Sequence, residues 1–343
     1  MLDERKCRIL QAIVDDYILT AMPVGSRTLS RKYIAGVSSA TIRNEMSDLE
    51  ELGYLDQPHT SAGRIPSYLA YRMYVDQLMH GAPLSQEEII GLRGRFHVRM
   101  GQLEEVLRQA TQVLSDATQY ASVVLAPQAK SLKLKRVQLV PITDTAALVV
   151  IVTDLGVVKD TIIPMPEGVN SEHLNLLSRL LTEQLQERTL QQFTSSFLQV
   201  LMRLTEGRAW FQEVLDTLER SIEHAKGSDI VVGGQMQLLQ HPEYSDVDRA
   251  RALLSMLESK DRLADVLAKT GGVELSVAIG PEIGVPEMRD CSVVSMTYRV
   301  AGRDLGRFGV IGPVRMNYGR VIAVLSSMGS ALDEILRDIM EES

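Results

Sequence analysis

The stretch that decides the fold lies near the N-terminus, where residues 24–52 read VGSRTLSRKYIAGVSSATIRNEMSDLEEL. A short helix, a turn that contains Gly36 and a second helix with Ser38 or Ser39 as its N-cap are the parts of a helix-turn-helix. Along the second helix, apolar residues recur at spacings of four and three, which predicts one buried stripe: Ile42, Met46, Leu49 and Leu52. The other face of that helix is therefore free to contact a partner.

The side chains on that free face suit the edges of DNA bases. With about 100° of rotation per residue, Ala40, Arg43, Asn44 and Ser47 point away from the buried stripe. Arginine can bind guanine through two hydrogen bonds and asparagine can bind adenine in the same way, while the small Ser39 and Ala40 allow a close approach. We therefore predict that the second helix lies in the major groove.

The placement of charge supports the same interpretation. No Asp or Glu occurs between Tyr17 and Asn44, whereas four basic residues do: Arg27, Arg31, Lys32 and Arg43. Acids return at Glu45, Asp48, Glu50 and Glu51. We expect the N-terminal turn of the second helix to meet bases and phosphates, and its C-terminal half to be kept off the duplex.

A polar loop follows the second helix, where residues 53–66 read GYLDQPHTSAGRIP. Two short apolar runs flank a polar tip that carries Arg64, a pattern typical of a β-wing. A three-helix scaffold that binds protein is the alternative for this region. On the DNA-binding interpretation, the candidate contacts are Ser39, Ala40, Arg43 and Asn44 for base edges, Ser38 and Thr41 for nearby phosphate, and Arg27, Arg31, His59, Thr60 and Arg64 for the backbone or minor groove.

These residues resemble the signature of HrcA-type heat-inducible transcription repressors. The resemblance rests on residues 24–26, 38–46, 48–55 and 57–66, and near the C-terminus on 309–313, 315–316, 318 and 320–322, so it spans the chain. Three positions differ from the family pattern: Ala70 stands in place of a Gly, Val314 of a Thr and Asn317 of an Asp. Ala70 precedes the Tyr71–Arg72 pair, and we expect this change to alter the direction in which the next helix leaves the wing.

The resemblance implies an α+β, multidomain architecture. It comprises an N-terminal winged helix-turn-helix over residues 1–80, a GAF-like α+β domain formed by 84–132 and 227–343, and an inserted dimerisation domain over 133–226 with a three-stranded antiparallel sheet and helices. The implied protein is a homodimer that represses chaperone genes by binding an inverted-repeat operator, the CIRCE element. In that family a chaperonin maintains the active repressor, and heat-damaged clients draw the chaperonin away. Double-stranded DNA, a second copy and a chaperonin are the expected partners.

The rest of the chain alternates between helical and strand patterns. Helices are predicted over residues 3–20, 67–79, 85–120 with interruptions, 171–187, 190–204, 208–224 and 321–340, with a capping box at Ser85 and Glu88. Strands 137–142, 146–153 and 157–163 should form an antiparallel meander, and further strands are expected over 273–279, 292–299 and 305–311. The apolar run 146–152 should be covered on both faces. The core partners expected for the first helix are Leu29, Tyr33, Ile42, Met46 and Leu52.

Composition bounds the class of protein. A chain of 343 residues with 45% hydrophobic and 23% charged residues suggests two or three domains. Its longest apolar run, residues 146–152, is far shorter than the ~20 residues that span a bilayer. The charged start at residues 1–5 carries no secretory signal, so we expect a cytoplasmic protein. The net charge of −8 argues against a protein that coats nucleic acid indiscriminately.

No pattern indicates catalysis, a metal, a cofactor or a disulfide. Cys7 and Cys291 are interpreted as buried small apolar residues, and the six histidines lack ligand spacing. Four glycines fit no phosphate loop and are interpreted as turns and close strand approaches: Gly302, Gly306, Gly309 and Gly312. Scattered carboxylates pair with no nucleophile: Asp144, Asp154, Asp160, Glu282, Glu287 and Asp290. We predict a protein that is not an enzyme; a metabolite-responsive winged-helix regulator and a protein-binding scaffold are the alternatives.

Overall fold

The computed structural model describes residues 2–59, 62–79, 81, 83–96, 103–127, 132–155, 158–165, 168–185, 230–269, 273–300 and 302–342. This part of the chain has a mixed α+β architecture with several antiparallel sheets. The coarse fold class predicted from the sequence is therefore confirmed.

The N-terminal unit consists of three helices and a two-stranded antiparallel ribbon. These elements are α1 (Glu4–Thr20), α2 (Ser26–Lys32), α3 (Ser39–Glu51), β1 (Leu55–Asp56) and β2 (Ile65–Pro66). Their order and approximate bounds agree with the sequence prediction. Local signals set the boundaries, since the Asp3 carboxylate caps α1 and Gly36 takes a φ of 85° in the turn before α3, a conformation that glycine adopts without strain.

One apolar core joins these elements. Its largest contributors are at most 4% exposed: Ile9, Leu10, Ile13, Leu29, Ile42, Met46, Leu49 and Leu55. The predicted burial of Leu52 is wrong, because α3 ends at Glu51 and Leu49 already fills the inward position; Leu52 is 53% exposed. Tyr33 is also partly exposed, and its hydroxyl donates to the Asp16 carboxylate at 2.8 Å.

A helical linker leads from the N-terminal unit to the rest of the chain. α4 (Tyr68–Met73) continues into a wider, π-helical turn over Tyr74–Leu78, which confirms the helix predicted over residues 67–79. α5 (Gln86–Arg93) begins with the predicted capping box, in which Ser85 and Glu88 satisfy each other's backbone amides.

The largest sheet joins two distant parts of the chain. β3 (Ala121–Leu125) pairs antiparallel with β7 (Ile230–Gly233) on one side and with β10 (Arg303–Pro313) on the other. β3 is absent from the sequence prediction, which indicated only a helix up to residue 120. Every residue of β3 is buried, so this short run has no alternation that would mark a strand.

β8 (Leu275–Ile279) and β9 (Cys291–Val300) complete this sheet, whose order is β7-β3-β10-β9-β8. The helices α6 (Leu103–Thr118) and α11 (Tyr318–Glu342) pack on one face. The opposite face is covered by a cluster that includes the short helix α8 (Gln235–Leu238) together with α9 (Val247–Glu258) and α10 (Lys260–Lys269). The strands and the final helix predicted for this region are confirmed with slightly shifted ends. We call this part of the chain the body.

A second sheet contains β4 (Leu134–Thr143), β5 (Ala146–Thr153) and β6 (Val158–Pro164) in sequence order. This confirms the predicted meander, and α7 (Ser171–Leu185) packs against β4. The prediction that residues 146–152 are covered on both faces is confirmed for one face, and the residues of the other face are half-buried. Burial alternates along β5, because only one face of the sheet turns toward α7.

The predictions for two helices and for the two cysteines are confirmed only in part or lie outside the described residues. The helices predicted over residues 190–204 and 208–224 lie outside the described residues. Of the two cysteines, Cys291 is buried, and burial raises the pKa of its thiol to about 11. Cys7 is only half-buried, because it lies near the open end of α1 beside Leu2, so the predicted burial holds for Cys291 alone.

Glycines of β10 lie where other groups approach closely. A Cβ atom on Gly306 would be 2.4 Å from the Leu125 carbonyl oxygen, and one on Gly309 would be 2.6 Å from that of Val294. Gly302, in the turn before β10, has a φ of 77°. The interpretation of these glycines as turns and close strand approaches is confirmed.

We predict that Gly306→Ala lowers the free energy of unfolding by about 1–3 kcal/mol, because the added methyl group would force β3 and β10 apart. Urea denaturation followed by circular dichroism measures the loss. Gly91→Ala is the matched control, since nothing lies within 4 Å of a Cβ there. It should be neutral or stabilise α5 by up to about 1 kcal/mol. Equal losses in both variants would contradict the close approach at Gly306.

Candidate nucleic-acid interface

α3 begins with a capped turn that contains no acidic residue. Ser38 is its N-cap, since the Ser38 Oγ accepts a hydrogen bond from the Thr41 amide at 3.1 Å. The hydroxyl oxygens of Ser38 and Thr41 also lie 2.9 Å apart. The remaining free amides and the positive end of the helix dipole face solvent, an arrangement that suits contact with phosphate.

The exposed face of α3 presents Ala40, Arg43, Asn44 and Ser47, while Ser39 is half-buried at its start. Arg43 and Asn44 make no hydrogen bond or ion pair with any described residue, so the guanidinium and the amide stay available. These two groups can each form two hydrogen bonds to a base edge in the major groove. The structure thus places three of the four predicted base contacts, Ala40, Arg43 and Asn44, on one exposed face.

α2 contributes cations beside this face. Arg27 and Arg31 lie one turn apart, are exposed, and pair with no carboxylate in the described part of the chain. Lys32 differs, because its ammonium lies 3.5 Å from the Asp16 carboxylate. Burial, and then the hydrogen bond to the same Asp16, raise the pKa of Tyr33 to about 12. Asp16 therefore binds Lys32 and Tyr33 and leaves the two arginines free.

The candidate DNA contacts on the ribbon differ in how exposed they are. His59 is exposed, and Thr60 lies outside the described residues. Arg64 is not on an exposed tip as predicted: its side chain is 18% exposed and its Nη2 lies 2.6 Å from Glu50 Oε2. The reason is local, because the backbones of Arg64 and Val24 exchange two hydrogen bonds of 2.9 Å that turn this part of the ribbon inward.

The acids in the second half of α3 are matched by cations. Lys6 Nζ on α1 lies 2.8 Å from Glu45 Oε2 and 3.1 Å from Asp48 Oδ2, and Arg5 lies 3.5 Å from Glu45. The carboxylates of Glu45 and Asp48 raise the pKa of the Lys6 ammonium. Three of the four acids in this half are therefore paired, Glu50 being bound by Arg64, and the expectation that this half is kept off the duplex stays a prediction. Sequence analysis missed Arg5 and Lys6; the basic pair in the first turn of α1 was the available signal.

Two of the scattered carboxylates join elements that are distant in the sequence. Asp154 pairs with Arg303 at 2.5 Å, and Glu282 pairs with Arg72 at 3.3 Å. Among the residues that the structure describes, no group of three or more His, Cys, Asp or Glu side chains could hold a metal. None of the helices described here has the length and apolar character needed to cross a membrane.

The N-terminal unit contacts the body through α4 and the end of α1. Arg72 donates a hydrogen bond to the Val277 carbonyl at 2.9 Å. Arg315 donates to the Ile18 carbonyl at 3.1 Å and also forms an ion pair with Glu243. These contacts set the direction in which α3 faces relative to the body.

Comparison with known proteins agrees with these features. Residues 104–322 match the family described as HrcA protein C terminal domain. The chain is 43% identical to the heat-inducible transcription repressor HrcA of Symbiobacterium thermophilum, over 98% of this chain and 99% of the relative. It is 42% identical to that of Moorella thermoacetica, over 98% and 99%. A crystal structure of a hypothetical protein at 2.2 Å resolution shares 25% identity with a TM-score of 0.64, over 99% of this chain and 100% of that one.

These matches place the chain among transcription repressors. It belongs to the HrcA family of heat-inducible transcription repressors, which confirms the resemblance seen in the sequence. The family consists of repressors and not of enzymes, so the prediction of a protein without catalytic activity is also confirmed.

Two of the three departures from the family pattern have a physical account. Asn317 is the residue before α11, and its Oδ1 accepts a hydrogen bond from the Arg320 amide at 3.1 Å. Asparagine and aspartate are equally good N-caps, so this change keeps the cap. Ala70 is fully buried inside α4, where alanine favours the helix over glycine. Nothing in the structure explains Val314.

We predict that Ser38→Ala destabilises the N-terminal unit by about 0.5–2 kcal/mol, because the Thr41 amide loses its side-chain partner. Thermal unfolding followed by circular dichroism measures the change. Ser47→Ala removes an equal hydroxyl from the exposed middle of α3 and should alter stability by no more than about 0.5 kcal/mol. If the two variants melted alike, the Ser38 cap would contribute nothing.

Proposed function

We propose that this protein represses chaperone genes by binding an inverted-repeat operator of the CIRCE type as a homodimer. One observation carries the proposal: Arg43 and Asn44 are exposed and without partners in the described chain, on a helix whose first turn holds no acid. A fork-shaped cation and an amide in this position match the hydrogen-bonding groups of guanine and adenine. Repression follows from occlusion of the promoter.

The N-terminal unit acts as a winged helix-turn-helix, with α3 in the major groove and the ribbon as the wing. Base edges are contacted by Ser39, Ala40, Arg43 and Asn44, nearby phosphate by Ser38 and Thr41, and the backbone or minor groove by Arg27, Arg31, His59, Thr60 and Arg64. Arg64 reaches DNA only when its guanidinium leaves Glu50. Its binding therefore requires the loss of one ion pair, whereas Arg27 and Arg31 need no such release.

We divide the chain into a DNA-binding domain over residues 1–80, a GAF-like domain formed by 84–132 and 227–343, and an inserted dimerisation domain over 133–226. Support for the two-segment domain comes from β3, which pairs with strands from the later segment on both of its edges. Support for the insertion comes from the separate three-stranded sheet and its own apolar core.

A dimer explains why the operator would be an inverted repeat. Two-fold symmetry presents two copies of α3 to half-sites that are separated by about 34–36 Å or a multiple of that distance. The protein acts in the cytoplasm, where the bacterial chromosome is accessible. A chaperonin maintains its competent form, and heat lowers that competent fraction when the chaperonin is occupied by other clients.

We predict that Arg43→Ala weakens operator binding by about 1–3 kcal/mol and relaxes the preference at one operator position, because a base contact is lost. Arg27→Ala should weaken binding to all duplexes alike, because it removes a phosphate contact. Gel-shift titrations at fixed salt, with the operator and with single-base variants of it, measure both effects.

The control for these variants is Arg251→Ala. Arg251 is an exposed arginine of α9 whose ion pair is with Asp248, so its removal changes the net charge equally but should leave operator affinity unchanged. If Arg43→Ala and Arg27→Ala both bound the operator like the wild type, the assigned docking face would be wrong.

We predict that purified chaperonin added to dilute repressor raises the occupied fraction of operator DNA, because a partner of the competent state enlarges that state's population. Fluorescence anisotropy of a labelled operator measures occupancy. An unrelated protein at the same mass concentration controls for crowding. Unchanged occupancy across a chaperonin titration would count against this mode of regulation.

A further inference from the structure

We propose that Lys6 is a positioning residue for DNA binding, which neutralises the carboxylates of α3 beside its DNA-contacting face without touching DNA itself. This inference rests on the proposed function and names a determinant of its strength. Lys6 belongs to α1, outside the set of residues that the helix-turn-helix pattern selects.

Three carboxylates surround the Lys6 ammonium. Its ammonium lies 2.8 Å from Glu45, 3.1 Å from Asp48 and 3.4 Å from Asp3, in each case measured to a carboxylate oxygen. The ammonium donates a hydrogen bond to Asp3 and forms ion pairs with Glu45 and Asp48, so its charge is directed toward carboxylates of its own unit. The Lys6 side chain is also only 18% exposed. Lys6 is therefore not a direct DNA contact.

The carboxylates that Lys6 binds are close to the proposed base contacts. Asn44 and Asp48 are four residues apart on α3, which places their Cβ atoms about 5–6 Å from each other. The Asp48 side chain is 55% exposed, and its spacing from Asn44 places it on the same face of α3. Charges act over about 10 Å at 0.1 M salt, and a phosphate beside Asn44 lies within this range of Asp48.

The charge balance of this cluster depends on Lys6. Two cations, Arg5 and Lys6, face three carboxylates, those of Asp3, Glu45 and Asp48, so the cluster carries one net negative charge. Removal of Lys6 doubles that charge at the edge of the DNA-contacting face. Asp48 would then have no cation within reach among the described residues, since the Arg5 ion pair is with Glu45.

The same ammonium also joins α1 to α3. Glu45 and Asp48 are one turn apart, and a single cation that binds both restrains the rotation of α3 about its axis. Two roles are thus possible for one residue, a purely mechanical clamp and a neutralising charge. The two roles predict different operator affinities for a variant that also lacks the carboxylates of Glu45 and Asp48.

The test compares Lys6→Met with Lys6→Met/Glu45→Gln/Asp48→Asn in the full-length chain. Binding is measured by fluorescence anisotropy with a labelled inverted-repeat operator, and circular dichroism checks that each variant is folded. We expect Lys6→Met to weaken binding about fivefold at 0.1 M salt, a deficit that shrinks as salt rises. The triple variant should bind to within about twofold of the wild type, because its uncharged amides repel no phosphate.

The matched control is Lys260→Met, an exposed lysine at the start of α10. It changes the net charge by the same amount on a helix of the body and should leave affinity unchanged. A triple variant as weak as Lys6→Met would show a clamp without an electrostatic role and overturn the inference. The inference would also be overturned if Lys6→Met bound the operator like the wild type while Arg43→Ala failed to bind it. A wild-type chain with no affinity for any operator duplex would instead reject the proposed function.

Discussion

The burial of one stripe of α3 sets the direction of everything that this helix presents. Ile42, Met46 and Leu49 are at most 4% exposed, and each such side chain contributes about 1.5–3 kcal/mol when fully buried. An exposed ion pair contributes no more than about 1 kcal/mol. The apolar stripe therefore fixes the rotation of α3, and ion pairs only refine it. Because helix geometry is regular, Arg43 and Asn44 must then face outward.

The same constraint explains how an acidic chain can present a cationic surface. A net charge of −8 describes the whole protein, whereas a phosphate responds to charges within about one Debye length. Most acids near α3 are paired among the described residues, Glu51 being the exception on α3: Asp16 pairs with Lys32, Glu45 and Asp48 with Lys6, and Glu50 with Arg64. The cations without partners in the described chain, among them Arg27, Arg31 and Arg43, then dominate the local field.

Local signals made much of the fold predictable. The cap at Ser38, the capping box at Ser85 and the meander of β4 to β6 depend on neighbouring residues or on a short repeat, which a sequence displays directly. The misses have non-local causes. The apolar period runs on to Leu52 although α3 ends before it, and the pairing of Arg64 with Glu50 depends on the return of the ribbon. The buried β3 carries no alternation, and its partners come from more than 100 residues later.

The C-terminal stretch that carries the family resemblance contacts the N-terminal unit. Ile18 lies in the last turn of α1, where carbonyl groups lack partners within the helix, and the Arg315 guanidinium satisfies one of them. A cation at a helix C-terminus is favourable for the same reason, and Glu243 holds that cation in place. The rings of Tyr71 and Tyr318 add a contact with centroids 6.2 Å apart. Residues of the C-terminal motif thus orient the N-terminal unit, so the direction of the DNA-contacting face is a property of the whole chain.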